Sequence, residues 1–187
     1  MDRRIIWKRL DEPGTDLCRI LRGADSWHLM GTAAGLHGGM PLYLDYHVSC
    51  DAGWVTRVVC LLGWADGRRI DLTIRRDDDG AWTCNDQPVP AVLGATDIDL
   101  GFTPATNTLA VRRSCLTPGA SVESTVAWFD EADWTLKPLR QSYRRVTENQ
   151  FEYASPANGF KAMLALDEAG LVCDYPGLWT AIDRQMT

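Results

Sequence analysis

A chain of 187 residues has the length of one ordinary domain and should bury about 70% of its unfolded surface. Its formal net charge of −6 and pI near 5.0 argue against non-specific nucleic-acid binding, which depends on Lys and Arg neutralising phosphates. The longest apolar run, Val58 to Ala65, falls far short of the roughly 20 residues of a membrane-spanning helix.

At the N-terminus, Ile5, Ile6 and Trp7 follow two arginines, well short of the ~7 to 15 apolar residues of a signal-peptide core, so the chain is expected to stay in the cytoplasm. Turn signals then recur at short intervals: Glu12-Pro13-Gly14, Gly23-Ala24-Asp25, Gly38-Gly39, Asp51-Ala52-Gly53, Ala65-Asp66-Gly67 and Asp77 to Gly80. They continue at Thr117-Pro118-Gly119, Ser155 to Gly159 and Asp167 to Gly170. Gly supplies positive φ and Asp or Asn tolerates it, so this rhythm predicts a β meander. In Met40 to Ser49, Leu42, Leu44, Tyr46 and Val48 alternate with Pro41, Tyr43, Asp45 and His47, which assigns the first set to a buried face. Ile70, Leu72 and Ile74 do the same in Arg68 to Arg76.

A helix is predicted from Pro104 to about Leu116, with Thr103 as N-cap and Pro104 in the first helical position, where its missing N–H costs nothing. Beyond it, Val122, Val126 and Trp128 share one strand face, and Phe160, Ala162, Leu164 and Leu166 another. A second short helix is expected from Gly177 to Gln185, and the Asp174-Tyr175-Pro176-Gly177 stretch is expected to end pairing after the last strand. No linker or repeat divides the chain, so residues 1–187 read as a single, mostly β domain.

The residues offer little catalytic chemistry. There is no nucleophile elbow, P-loop or dinucleotide glycine pattern, and no cofactor is expected. His28, His37 and His47 lack ligand spacing and no Cys-x-x-Cys occurs, so no metal is expected either. The six cysteines are scattered and are read as reduced, mostly buried small hydrophobes. Asp97 and Asp99 lie two apart, beside the helix start and near Arg112 and Arg113. Buried charges normally exist only when paired, so these four are expected to form one satisfied polar corner. Eight Trp and five Tyr supply rings that are apolar in body and polar at the edge, suited to a binding wall or to a core.

The string Asp97-Ile98-Asp99-Leu100-Gly101-Phe102-Thr103-Pro104-Ala105-Thr106-Asn107, running on to Arg112-Arg113, resembles the central motif of a bacterial glycolipid-binding family, formerly a domain of unknown function. Gln141-Ser142-Tyr143 and Gly170-Leu171-Val172-Cys173-Asp174-Tyr175-Pro176-Gly177-Leu178-Trp179 resemble its later motifs. Ala110 stands where the family commonly has proline, and Thr180 follows Trp179 where it has arginine. The resemblance implies a single antiparallel sheet spiralled into a β-roll around one helix, similar in shape to bacterial lipoprotein carriers. It also implies a lipid or glycolipid as partner, with an amphiphile held in an apolar interior. The candidate ligand-binding or polar-corner residues are Asp97, Asp99, Thr103, Asn107, Arg112, Arg113, Gln141, Tyr143, Asp174 and Tyr175. The alternatives are an enzyme acting on a lipid or sugar conjugate through Asp97 or Asp99 with Arg112 or Arg113, and a non-catalytic protein-interaction module.

Overall fold

The computed structural model describes residues 2–186. The strands come in two runs on either side of one helix. The first comprises β1 (Asp2–Arg9), β2 (Gly14–Arg22), β3 (Ser26–His37), β4 (Met40–Asp51), β5 (Thr56–Ala65), β6 (Arg68–Arg76), β7 (Trp82–Cys84) and β8 (Gln87–Pro88). Short β9 (Ile98–Leu100) and α1 (Asn107–Ser114) follow. The second run is β10 (Ser121–Asp130), β11 (Thr135–Arg145), β12 (Gln150–Ser155), β13 (Phe160–Leu166), β14 (Val172–Tyr175) and β15 (Trp179–Met186).

All belong to one open sheet of 15 strands, in the order β8 to β1, then β15 down to β9. Both runs are hairpin meanders, joined where β1 pairs with β15. Neighbours are antiparallel except β9 and β10, which run parallel, so the sheet is mixed at this edge and not purely antiparallel. The crossover between them contains α1, the connection a parallel pair requires.

The two edges meet across the roll. Thr56 Oγ1, at the start of β5, accepts from Ile98 N on β9 at 3.1 Å, and Ala95 O accepts from both Arg76 Nε and Trp82 Nε1. The interior is packed. Trp7, Trp82, Phe102, Phe129, Leu29, Leu44 and the α1 residue Leu109 are buried in one continuous cluster, as the period-two pattern of β4 and β6 directs. Of the tryptophans, Trp7, Trp27, Trp54, Trp82, Trp134 and Trp179 are buried in this core. The protein's own apolar side chains thus line the interior in which the resemblance would hold an apolar tail.

Several expectations are corrected. The helix starts at Asn107, three residues after Pro104, because residues 104–106 form single turns; Thr103 Oγ1 still accepts from Ala105 N at 3.0 Å, in a local turn of its own. It ends at Ser114, where Cys115 takes a left-handed φ of 45°. The expected second helix is instead strand β15, whose partner is β1. Pairing does pause at Pro176, but as a hairpin turn: Leu178 N donates to Tyr175 O at 2.9 Å around Gly177, whose φ is 78°. All six cysteines are free thiols, yet only Cys18 and Cys50 are buried, because Cys60 and Cys115 fall on outward positions.

Candidate functional site

The motif beginning at Asp97 is arranged around the edge strand β9. Alternation buries Ile98 and Leu100 in the core and sends Asp97 and Asp99 the other way, where α1 folds back over the strand. The two carboxylates meet different partners there. Asp97 is 1% exposed and is gripped by Arg113, whose Nη2 lies 2.8 Å from Oδ2 and whose Nε is 3.1 Å from each oxygen. Asp99 receives Gln141 Nε2 from β11 on one oxygen and Thr106 Oγ1 at 3.2 Å on the other. No arginine reaches it. Burial pushes its carboxyl up from the ordinary value, against the two hydrogen bonds, and the negative Asp97 adds to the rise.

Asp99 lies in the wall of a cleft of about 200 Å³ between the approach to α1 and the second run of strands. Leu100, Gly101, Thr103, Pro104 and Asn107 form one side. Trp128, Glu131, Leu139, Tyr153, Ser155, Phe160, Tyr175, Leu178 and Trp179 form the other. The rings of Tyr153, Phe160 and Tyr175 touch one another with centroids 5.9 to 6.1 Å apart, making a continuous aromatic wall. Glu131 Oε2 and Ser155 Oγ are buried without a hydrogen-bond partner. Burial also raises the Glu131 carboxyl, against a hydrogen bond from its own backbone and the charge of His37, and the charges of Asp99 and Asp130 add to the rise.

Behind this cleft the loop is pinned by polar contacts. Tyr143 donates its hydroxyl proton to Asn107 Oδ1 at 2.8 Å, and Asn107 Nδ2 donates to Pro104 O at 3.2 Å. The Thr103 hydroxyl donates to Asp16 on β2, which Tyr46 Oη also reaches at 3.0 Å. Asp16 is fully buried with no cation among its hydrogen-bond donors, and burial pushes it up to about 7.

Of the sequence candidates, Asp99, Thr103, Asn107 and Tyr175 line the cleft, while Gln141 and Tyr143 support it from behind. Four do not join it. Asp97 and Arg113 are spent on each other. Arg112 lies with Cζ 5.4 Å over the Trp54 ring, beside a separate open cleft of about 600 Å³. Asp174 is exposed, because strand alternation turns it away from its neighbour Tyr175. The four-residue corner is thus one ion pair: successive helix positions 112 and 113 point about 100° apart, so only Arg113 can face β9.

Sequence reasoning missed Asp16, Glu131, Phe160 and Trp128 as parts of the site. Asp16 was visible in principle: alternation over β2 places it on the inward face with Cys18 and Ile20. Glu131 carried no signal, since it follows β10 in an irregular turn. Among the described residues, no group of three or more His, Cys, Asp or Glu side chains is placed to hold a metal ion. No helix among them is long and apolar enough to cross a membrane.

Comparison with known proteins agrees with the motif. A search of the curated proteins finds no match. Among solved structures, the crystal structure of a DUF1089 family protein from Pseudomonas aeruginosa is 30% identical, with a TM-score of 0.76 over 88% of this chain and 91% of that one. The family model described as "Putative glycolipid-binding" matches residues 4–181, from β1 into β15. With a match that spans both runs of strands and every wall of the cleft, the chain belongs to that glycolipid-binding family.

Proposed function

We propose that the chain binds the polar head of a glycolipid-like amphiphile in the cleft beside Asp99, without chemical turnover. The observation that carries this reading is the convergence of separate family motifs on one cleft: Asp99, Thr103 and Asn107 from the first, Gln141 and Tyr143 from the second, Tyr175 and Trp179 from the third. Its walls combine aromatic rings with hydrogen-bonding groups, the combination a sugar ring uses on its apolar face and at its hydroxyl rim. At about 200 Å³ the cleft lies below the usual range for a drug-sized ligand and suits one ring-sized head. The buried apolar cluster of the interior favours a tail held outside.

Binding without turnover is favoured over the enzyme reading because the pairing it needs is broken up. Asp97 is closed off by Arg113, and neither Arg112 nor Arg113 lines the cleft to receive an anion. Tryptophan fluorescence titration with alkyl glucosides from hexyl to dodecyl, below their micelle concentrations, tests the proposal through Trp128 and Trp179. A buried tail contributes about 0.8 kcal/mol per methylene, which would tighten binding roughly fourfold with each added carbon. The expected result is a saturable change whose affinity varies by less than about tenfold across the series. No saturable change with any glucoside refutes headgroup binding, and a steady fourfold gain per carbon refutes the external tail.

A further inference from the structure

We infer that the cleft selects a compact cationic amine, either on a sugar ring or as a free ammonium head, over neutral and anionic heads of the same size. The inference rests on the headgroup-binding reading and adds the charge of the head. Two carboxylates, Asp99 and Glu131, line the cleft, and no Lys, Arg or His does. The nearest cations are engaged elsewhere or stand outside it. Arg9 is held by Asp11 at 2.8 Å with its guanidinium over the Trp179 ring, and both it and His37 act on Glu131 by charge from outside the lining.

The carboxylates are also left incomplete by the protein. Glu131 Oε2 is buried with no donor, and Asp99 has only the neutral donors of Gln141 and Thr106. A buried carboxylate oxygen without a donor is costly, and a bound ammonium would supply Glu131 with the missing donor and Asp99 with a charged partner. The aromatic wall of Tyr153, Phe160 and Tyr175 acts in the same direction, since ring faces attract cations. Phosphate, sulfate or a uronic acid would instead enter a site lined by two carboxyl groups and no basic side chain. Burial raises the carboxyls of Asp99 and Glu131, and a cation placed beside them would act against that rise by favouring their charged forms.

The test is isothermal titration of the intact chain at pH 7 and low salt. The ligands are octyl glucoside, octyl 2-amino-2-deoxyglucoside, its N-acetylated form, octyl glucuronide and choline. The amino glycoside is expected to bind at least about tenfold tighter than the neutral and N-acetylated forms, with no binding of the glucuronide. Glu131→Gln should shrink the tenfold preference, and it is a mild change because Oε2 has no hydrogen-bond partner in the free protein. Choline binding tightly while the amino glycoside does not would assign the site to an ammonium head and not a sugar amine. Equal affinity for neutral and amino glucosides overturns the charge selection while leaving headgroup binding intact. If none of the five ligands binds, both readings fall.

Discussion

Arg113 Nη2 donates to Asp97 Oδ2 at 2.8 Å, and this contact fastens the last turn of α1 to the edge strand β9. Asp97 is buried, while the arginine keeps its side chain 21% exposed, so the carboxylate bears most of the desolvation. Breaking such a pair from one side leaves a buried charge without its partner and costs about 3 to 5 kcal/mol. Arg113→Ala, which leaves the buried Asp97 carboxylate unpaired, is therefore expected to lose about that much stability in urea denaturation. Replacing both residues by apolar ones of similar size should recover most of the loss, because the desolvation penalty disappears with the charges. A double variant no more stable than Arg113→Ala would show that the contact contributes more than charge pairing.

Asp16 gives the fold a pH dependence of definite sign. Its folded pKa, pushed up to about 7 by burial, lies above the value of about 3.9 for an unfolded Asp. Between those values the folded state binds the extra proton, so stability is full below about pH 4 and falls as pH rises to about 7, then levels. At 1.36 kcal/mol per unit the total for this one group is of the order of 4 kcal/mol. Asp16→Asn should remove that part of the slope, measured as the difference between the two proteins' denaturation midpoints from pH 4.5 to 7.5. Identical slopes in both would mean that Asp16 does not take up its proton on folding.

Much of this fold was legible because strands announce themselves by alternation and turns by glycine. The inward set Leu42, Leu44, Tyr46 and Val48, and the turns at Gly38-Gly39 and Asp66-Gly67, stand as the pattern places them. The stretch after Gly177 was misread because Trp179 to Ile182 has no charges to break a helical period, and its strand state comes from a partner, β1, that begins the chain. Long-range pairing of that kind leaves no local trace. The site was half legible for the same reason. Asp99 and Asn107 sit in one contiguous motif, but their partners Gln141 and Tyr143 lie more than 30 residues away, where only the β10–β11 register sets which side chains reach the helix. The division of labour between Asp97 and Asp99 depends on the direction of α1, which no spacing in the sequence encodes.

The Tyr143 to Asn107 hydrogen bond makes a second structural test. Tyr143 is 1% exposed, and removing its hydroxyl leaves Asn107 Oδ1 without this donor inside the protein. Asn107 is only half-buried beside the cleft, so the loss should be near the net worth of one hydrogen bond, about 0.5 to 1.5 kcal/mol. Tyr143→Phe is expected to fall in that range by denaturant titration and to weaken headgroup binding, because Asn107 lines the cleft. Unchanged stability would show that Asn107 finds another donor once the hydroxyl is gone.

Gly101 offers a way to disturb the cleft without disturbing the fold. It lines the cleft opposite Glu131, and a Cβ added there would stand 1.7 Å from Glu131 Oε2 and 2.7 Å from its Cδ. Its backbone lies outside the left-handed region that favours glycine, so alanine fits the local conformation. The atoms in the way belong to the free end of a flexible side chain whose Oε2 holds no partner, so Glu131 can swing aside at little cost. Gly101→Ala is therefore expected to change stability by less than about 1 kcal/mol, within the range for a substitution whose backbone is compatible. The added methyl and the displaced carboxylate should nevertheless alter a cleft of only about 200 Å³, weakening headgroup binding at least about tenfold. Parallel thermal melts and fluorescence titrations separate the two effects. A variant that melts like the parent and binds like it would place the ligand elsewhere on the molecule.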